Sequence, residues 1–226
     1  MNKIHATAII DSRVELGENN IIGPYTVIEG PTKIGDNNLI GSHVVIGSPG
    51  QDTRSPRYDS KECCIEIGNN NIIREFTAIQ KPCYKNLTKI GNNVFLMQSV
   101  HIPHDAVLQD DVVITPMCVL AGITNILKGA NLGMGCTIHQ YSVIGHYSLV
   151  AMGSALTKNI KPFSIFVQGK PPRVNSYAIQ KFDFADCEDE IKKYVIEGVS
   201  PVSYKLLSIV EEFEKLHKDS KRPIYS

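Results

Sequence analysis

Residues 90–156 read IGNNVFLMQSVHIPHDAVLQDDVVITPMCVLAGITNILKGANLGMGCTIHQYSVIGHYSLVAMGSAL. Every sixth residue of this stretch is aliphatic: Ile90, Leu96, Ile102, Leu108, Ile114, Leu120, Ile126, Leu132, Ile138, Ile144, Val150 and Leu156. A period of six belongs neither to an α-helix nor to a plain strand, and it is typical of a parallel β-helix. Because three hexads make one triangular coil, residues three hexads apart should lie in neighbouring coils, about 4.8 Å from each other.

The same period runs through the N-terminal part of the chain. It includes Ile4, Ile10, Leu16, Ile22, Ile28, Ile34, Ile40 and Ile46, and later Ile67, Ile73 and Ile79. It breaks at residues 48–66 and 80–89, which we interpret as loops inserted between coils. The length of the first loop favours a functional role. Gly and Asn recur after the aliphatic positions, as expected for tight corners.

The β-helix is predicted to span residues 1–170 and a helical region residues 171–226, since Pro162, Pro171 and Pro172 interrupt regular structure. Asp186 is the candidate cap of one helix, running to Lys193, and Ser200-Pro201 is a second start signal. We expect two or three short helices to pack on the end or side of the last coils.

Composition excludes several classes of protein. Lys+Arg 23 balances Asp+Glu 23, which argues against nucleic-acid binding. No apolar run approaches the roughly 20 residues of a membrane span, and residues 1–5 lack a signal-peptide core. These features predict a cytoplasmic protein without stable membrane insertion. The six cysteines form no CxxC pair and are expected to be free thiols.

Histidines cluster at one predicted edge of the solenoid. Counting three hexads from His104 reaches Gly122, and three more reach Gln140. These three residues should form a column about 10 Å long, two coil spacings. His101 lies close to its base and His139 beside its top.

This column contains the residue types that acyl transfer needs. His104 is the candidate general base, and Asp105 would orient its ring. The backbone amide of Gly122 would hold an oxyanion. The sequence has no GxSxG motif, and no cysteine falls next to the histidines in the predicted column. We therefore expect direct attack by the acceptor on an acyl thioester, without an acyl-enzyme.

Other kinds of site are weighed against this one. Without a P-loop or a GxGxxG motif opening a helix, neither nucleoside triphosphate nor NAD chemistry is expected, and no cofactor is predicted beyond the acyl thioester itself. A zinc site of His101, His104 and His139, as in carbonic-anhydrase-like β-helices, is conceivable, but the column predicts no closed tripod. The spacing is also wrong for zinc at three cysteines: Cys63, Cys64 and Cys83. No metal is expected.

From its N-terminus to about Phe184 the chain resembles the bacterial UDP-N-acetylglucosamine acyltransferases that begin lipid A synthesis. The resemblance rests on these motifs: Gln51-Asp52, Ile73-Arg74-Glu75, His101-Ile102-Pro103-His104-Asp105, Leu120-Ala121-Gly122 and Ile138-His139-Gln140. The hexads alone are shared by many acetyltransferases, whereas the loop and the histidine motifs are more specific.

The resemblance implies a left-handed β-helix, a homotrimer with active sites between neighbouring subunits, and a hydroxyacyl acyl carrier protein as donor. It implies that His104 is the base, Asp105 its partner and Gly122 the oxyanion-hole amide. It also implies a set of substrate-binding residues: Gln51, Asp52, Arg54, His101, His139, Gln140, Met152, Asn175 and Lys181.

The sequence departs from the family pattern on the substrate side. The departures are Arg54 for Lys, Gln80 and Ile123 for His, Tyr177 for an acid, and Lys181-Phe182 for an Arg pair. Met152 stands where the family measures acyl length, often with Gly. A larger side chain should exclude methylenes, each worth about 0.8 kcal/mol of burial, and so favour a shorter acyl chain.

These observations leave three hypotheses. The first is transfer of a hydroxyacyl group from acyl carrier protein to a hydroxyl of UDP-N-acetylglucosamine, for lipopolysaccharide synthesis. The alternative is a CoA-dependent N-acyltransferase acting on a UDP- or dTDP-linked amino-deoxysugar for surface polysaccharide. The third is a non-catalytic scaffold. Retention of His104 and Asp105 favours the first, while Met152 and the altered nucleotide-side residues leave room for the second.

Overall fold

The computed structural model describes residues 1–55, 57–59 and 62–226, so residues 56, 60 and 61 of the predicted first loop lie outside the described residues. The described residues form a left-handed parallel β-helix of hexapeptide repeats with a short C-terminal helical region, which confirms the predicted fold class.

The strands are two to four residues long. Before the first insertion they are β1 (Lys3–Ile4), β2 (Ile9–Ile10), β3 (Val14–Leu16), β4 (Ile21–Ile22), β5 (Val27–Ile28), β6 (Thr32–Ile34), β7 (Leu39–Ile40) and β8 (Val45–Ser48). Between the insertions they are β9 (Cys64–Ile67), β10 (Ile72–Ile73) and β11 (Ala78–Gln80). The insertions themselves are therefore shorter than the sequence predicted, because both ends of each predicted loop belong to strands.

The longest uninterrupted run of coils follows the second insertion. Its strands are β12 (Leu87–Ile90), β13 (Phe95–Leu96), β14 (His101–Ile102), β15 (Val107–Leu108), β16 (Val113–Ile114), β17 (Val119–Leu120), β18 (Asn125–Ile126), β19 (Asn131–Leu132), β20 (Thr137–Ile138), β21 (Val143–Ile144), β22 (Leu149–Val150), β23 (Ala155–Leu156) and β24 (Ser164–Phe166). An antiparallel strand, β25 (Arg173–Val174), pairs with β24 at the end of the solenoid.

Every third strand joins the same sheet, which gives the prism three faces. Sheet A contains β1, β4, β7, β10, β13, β16, β19, β22, β24 and β25. Sheet B contains β2, β5, β8, β11, β14, β17, β20 and β23, and sheet C contains β3, β6, β9, β12, β15, β18 and β21. We call the corner where the chain passes from sheet A to sheet B the A–B edge, and the next corner the B–C edge.

The register confirms the predicted spacing of three hexads between coils, because Leu108 pairs with Ile126. Across the first insertion Ile34 pairs with Ile67, whereas an unbroken repeat would have paired it with position 52. Across the second, Ile67 pairs with Ile90, where an unbroken repeat would have paired it with position 85. The first insertion is therefore the longer of the two. Both leave the solenoid at the B–C edge, one coil apart.

The hexad aliphatics fill the interior of the prism. From Ile22 onward they are buried, and Ile28, Ile46, Ile79 and Ile102 are 0% exposed. Each such side chain stabilises the fold by about 1.5–3 kcal/mol through its removal from water. The repeat therefore both defines the coil and supplies its core.

Asparagine and glycine serve the corners in different ways. Asn19, Asn37 and Asn93 adopt positive φ angles of 56–59°, a conformation that Asn tolerates. Gly17 is required by close approach instead, because a Cβ there would lie 2.7 Å from the carbonyl of Gly35 in the next coil. Stacked coils thus leave no room for a side chain at that corner.

The C-terminal region contains α1 (Ser176–Lys181), α2 (Glu188–Lys192) and α3 (Tyr204–Asp219), with a 3₁₀ turn at Ala185–Cys187 and a π-helical segment at Lys193–Glu197. The helices pack against the side of the last coils: Phe213 of α3 is buried with Leu127 and Val143. None of the described helices is long and apolar enough to cross a bilayer.

The predicted helix starts were wrong. Asp186 does not cap a helix, because its carboxylate pairs with Lys205 Nζ at 3.1 Å. The helix expected to begin at Ser200-Pro201 begins at Tyr204, with Ser203 at the cap position. Glu190 accepts the amides of Val202 and Ser203, and these contacts with α2 hold the chain extended ahead of α3.

Candidate active site

The predicted column exists at the B–C edge. The amide of Ile123 donates to the His104 carbonyl at 3.2 Å, and the amide of Tyr141 donates to the Gly122 carbonyl at 3.2 Å. His104, Gly122 and Gln140 therefore stand one above another on successive coils. Gly122 leaves room for the imidazole, since a Cβ at this position would overlap Cε1 and Nε2 of His104.

His104 and Asp105 form a buried dyad. Nδ1 of His104 lies 2.7 Å from Oδ2 of Asp105, and the two residues are 6% and 1% exposed. An ionised carboxylate can only accept, so in the neutral imidazole Nδ1 carries the proton and Nε2 has the lone pair. That lone pair belongs to the ring edge against Gly122, which is the arrangement a general base needs.

Three consecutive backbone amides hold the Asp105 carboxylate. The donors belong to the second insertion: Cys83 at 3.3 Å, Tyr84 at 3.0 Å and Lys85 at 2.6 Å. Burial by itself would raise the pKa of Asp105, but the hydrogen bonds from His104 and from these amides outweigh it and lower that pKa. The carboxylate therefore stays ionised and fixes the tautomer of His104.

Cys83 corrects the expectation that no cysteine lies beside the histidines. Its sulfur, a ring nitrogen of His104 and a carboxylate oxygen of Asp105 lie within 4.8 Å of one another. Burial, followed by the charge of Asp105, raises the pKa of Cys83 to about 11, so the thiol is protonated at neutral pH and is a poor nucleophile.

This group is also the one place in the described ranges where three metal-ligating side chains converge. The Asp105 oxygens already accept hydrogen bonds from four donor groups and the thiol is protonated, so these side chains suit an acid–base dyad better than a metal. Among the described residues, this group includes neither His101 nor His139, and neither Cys63 nor Cys64.

The first insertion reaches the dyad. A Cβ on Gly50 would lie 3.1 Å from both the Cβ of His104 and the sulfur of Cys83, so the loop backbone rests on the base. Asp52 is held by Arg54, whose Nε lies 2.8 Å away, and by the hydroxyl of Tyr84 at 2.5 Å. Gln51 and Arg54 are exposed.

The remaining histidines of the cluster make separate contacts. Nδ1 of His101 lies 3.0 Å from the Leu120 carbonyl, and burial lowers the pKa of this histidine. His139 is exposed, and its Nδ1 accepts from Arg222 Nη2 at 2.6 Å. Arg222 Nε also donates to the Gln140 carbonyl at 2.9 Å, so the C-terminal tail crosses the top of the column.

Three predicted substrate-binding residues lie elsewhere in the chain. Asn175 caps α1 through Ala178 and donates to the Tyr147 carbonyl at 2.8 Å. It lines, with Lys181, a cavity of about 420 Å³ between α1 and sheet A. Met152 is 78% exposed at the A–B edge. A single chain therefore does not bring these residues to the dyad at the B–C edge.

Sequence reasoning did not place four residues that contact the column: Cys83, Tyr84 and Lys85 at the dyad, and Arg222 at Gln140. The first three lie in an insertion, where the hexad repeat gives no position. The available signal was that both insertions leave the solenoid at the B–C edge, in the two coils that precede the coil of His104. Arg222 carried no signal, since its place depends on how the C-terminal tail folds back.

Comparison with known proteins agrees with the fold and identifies the family. A family model, bacterial transferase hexapeptide (six repeats), matches residues 13–48 and 87–122. The acyl-[acyl-carrier-protein]–UDP-N-acetylglucosamine O-acyltransferase of Albidiferax ferrireducens is 37% identical over 78% of this chain and 73% of its own length. The enzyme of that name from Herminiimonas arsenicoxydans is 35% identical over 82% of this chain and 78% of its own.

Solved structures resemble the whole chain. The UDP-N-acetylglucosamine acyltransferase from Campylobacter jejuni superposes with a TM-score of 0.80 at 25% identity and covers 99% of both chains. The left-handed β-helix, the buried histidine–aspartate dyad and these relatives together identify the protein as a hexapeptide-repeat acyltransferase. More particularly, the chain belongs to the acyl-[acyl-carrier-protein]–UDP-N-acetylglucosamine O-acyltransferase family.

Proposed function

We propose that the protein transfers a hydroxyacyl group from acyl carrier protein to a hydroxyl of UDP-N-acetylglucosamine, with His104 as the general base. The observation that carries this proposal is the His104–Asp105 dyad, whose unprotonated ring edge lies against Gly122. The names of the relatives given above state O-acyl transfer between an acyl-[acyl-carrier-protein] and UDP-N-acetylglucosamine.

The proposed reaction needs one base and one oxyanion donor. Nε2 of His104 takes the proton of the sugar hydroxyl while its oxygen attacks the thioester carbonyl. The amide of Gly122 donates to the resulting oxyanion; among the described residues it has no other acceptor. Collapse of the tetrahedral intermediate breaks the carbon–sulfur bond, and His104 returns the proton to the leaving thiolate. No further cofactor takes part.

A homotrimer would complete this site. Sheets A and B expose apolar residues toward solvent, namely Ile9, Ile21, Leu39 and Ile72. The first four strands of sheet C instead present charged side chains outward: Glu15, Lys33, Glu66 and Lys89. Association through sheets A and B would cover the apolar faces and bring the cavity of Asn175 and Lys181 from one subunit towards the dyad of another. We expect Ile72→Glu to dissociate the protein and abolish turnover, and Glu66→Gln to do neither, in sedimentation and activity assays.

Met152 is proposed to limit the acyl chain. It lies with Met117 and Met134 in an exposed group at the A–B edge, where a neighbouring subunit would meet it. We expect Met152→Gly to shift the preferred donor to longer chains, by about four-fold in relative rate for each methylene admitted. A panel of hydroxyacyl carrier proteins of increasing length measures this shift, and an unchanged optimum would remove Met152 from the acyl pocket.

The experiment that tests the function is mass spectrometry of products from a crossed panel. Donors are hydroxyacyl groups on acyl carrier protein and on CoA; acceptors are UDP-N-acetylglucosamine and UDP- or dTDP-linked amino-deoxysugars. An ester formed from the carrier-protein donor supports the proposal. An amide formed from CoA would instead assign amino-sugar N-acylation, where an amine nucleophile depends less on His104.

A further inference from the structure

The two insertions are joined side by side by contacts that run in opposite chain order. These contacts are Tyr84 Oη to Asp52 Oδ2 at 2.5 Å, Ser55 Oγ to the Cys83 carbonyl, and Lys81 Nζ to Asp59 Oδ1 at 2.9 Å. Lys81 is buried, so its ion pair anchors the far end of the arrangement. The first insertion is thus held over His104 by the second.

Tyr84 is the residue of the second insertion that contacts both members of the dyad and the first insertion. Its amide donates to Asp105 at 3.0 Å, its ring centroid lies 5.5 Å from that of His104, and its hydroxyl donates to Asp52. The hydrogen bond to Asp52 raises the pKa of Tyr84, so the hydroxyl remains a donor. One side chain therefore sets the distance between the base and a carboxylate of the first insertion.

The carboxylate of Asp52 is fully occupied. Oδ1 accepts from the amide and Nε of Arg54 at 3.1 and 2.8 Å, and Oδ2 accepts from Arg54 Nη2 at 3.0 Å and from Tyr84 at 2.5 Å. Two oxygens offer about four lone-pair sites, so a sugar hydroxyl binds here only by replacing a present donor. The Arg54 side chain is 88% exposed and can leave, whereas the Tyr84 ring is packed on His104.

We propose that Tyr84 is a positioning residue for the acceptor: it fixes Asp52 beside His104, so that a sugar hydroxyl that displaces Arg54 finds the carboxylate already in place. This inference rests on the proposed function, because it assigns Asp52 to acceptor binding. It predicts that Tyr84 acts through Asp52 and affects binding of the nucleotide sugar more than the chemical step.

The test is a double-mutant cycle measured in KM and kcat. Tyr84→Phe keeps the ring and the amide and removes only the hydroxyl. A hydrogen bond to a charged group is worth about ten-fold or more, so KM for UDP-N-acetylglucosamine should rise about ten-fold, with kcat within about two-fold. In an Asp52→Asn background the same change should have little further effect, since interacting residues are not additive.

Tyr204→Phe is the matched control, because Tyr204 is a tyrosine of α3 that is 90% exposed and should leave both constants unchanged. An unchanged KM in Tyr84→Phe, a fall in kcat alone, or additive effects in the cycle would overturn the proposal while the proposed function stands. If the wild type gives no ester, calorimetry with UDP-N-acetylglucosamine decides. A weaker Kd in Tyr84→Phe keeps the role of Tyr84, and an equal Kd or no binding to the wild type rejects it.

Discussion

Nδ1 of His104 lies 2.7 Å from Oδ2 of Asp105, and the same carboxylate accepts the amides of three consecutive residues of the second insertion. The second insertion is therefore part of the candidate active site. It supplies the donors that keep Asp105 ionised, and Asp105 in turn directs the lone pair of His104 to the ring edge beside Gly122. A short departure from the repeat has a direct chemical effect on the base.

Substitution of either member of the dyad should lower turnover, and loss of Asp105 should also lower stability. His104→Ala should lower kcat by about 10²–10⁴, the range that a general base contributes. Asp105→Asn should lower kcat about 100-fold or more, because an amide no longer selects the tautomer with a free Nε2. It should also lower the melting temperature, since buried donors lose a charged acceptor. Turnover and thermal unfolding measure both.

His5→Ala is the control for the histidine substitution, because His5 is exposed near the N-terminus. It should retain wild-type turnover. Full activity in His104→Ala would exclude His104 as the base and favour an acceptor that needs no deprotonation.

Gly122 gives a steric prediction. A Cβ at this position would overlap the His104 ring, so Gly122→Ala should displace the base and abolish most turnover. Gly135→Ala is the contrasting variant: nothing lies within 4 Å of its Cβ, but its φ of +69° is strained for alanine by about 1–2 kcal/mol. It should lower the melting temperature and leave the chemical step intact. Equal kinetics for the two variants would contradict this assignment.

The fold and the column could be predicted from the sequence because the hexad repeat gives the number of coils between any two residues within it. Once Ile102 and Leu120 are assigned to the interior, His104 and Gly122 can only lie on neighbouring coils. The repeat gives no positions where the chain leaves it. Tyr84 and Cys83 reach the dyad through turns whose geometry depends on tertiary contacts, and sequence periodicity does not predict that geometry.

The C-terminal helical region also lies outside the repeat, and the starts of its helices were likewise predicted wrongly. Asp186 has the sequence of a helix cap, yet Lys205 takes its carboxylate, and a local signal loses to a contact made from a different helix. The cavity at Asn175 lies on another face of the prism from the dyad, and Met152 lies at the A–B edge, so the predicted substrate residues occupy three regions of one chain. The homotrimer proposed above would bring these regions together, and the hexad repeat gives no distances between chains.

Cys83 is predicted to take no covalent part in the reaction. Its thiol is buried and its pKa is raised to about 11, so little thiolate exists at neutral pH. Cys83→Ala should keep turnover within about three-fold, a loss attributable to a small cavity beside His104. Intact-protein mass spectrometry of wild type quenched during turnover should show no acylated enzyme. An acyl adduct that vanishes in Cys83→Ala would replace direct transfer with a two-step route.

The packing of α3 on the solenoid should depend on pH through Glu212. Its carboxylate lies 3.0 Å from Nε2 of the buried His146 and accepts from Gln109 at 2.6 Å. The hydrogen bond from His146, followed by that from Gln109, outweighs burial and lowers the pKa of Glu212. A carboxyl with a lowered pKa contributes stability above its unfolded pKa of about 4.3, and loses it as pH falls through the folded pKa.

Glu212→Gln should therefore unfold at a lower temperature than wild type near pH 7, and the difference should close below about pH 4. The carboxylate is 45% exposed, so the contribution at neutral pH is at most about 1 kcal/mol, a shift of a few degrees. Glu211→Gln, on the exposed side of the same helix, should show no such convergence. A difference between wild type and Glu212→Gln that is constant from pH 3 to 7 would assign the effect to packing rather than to charge.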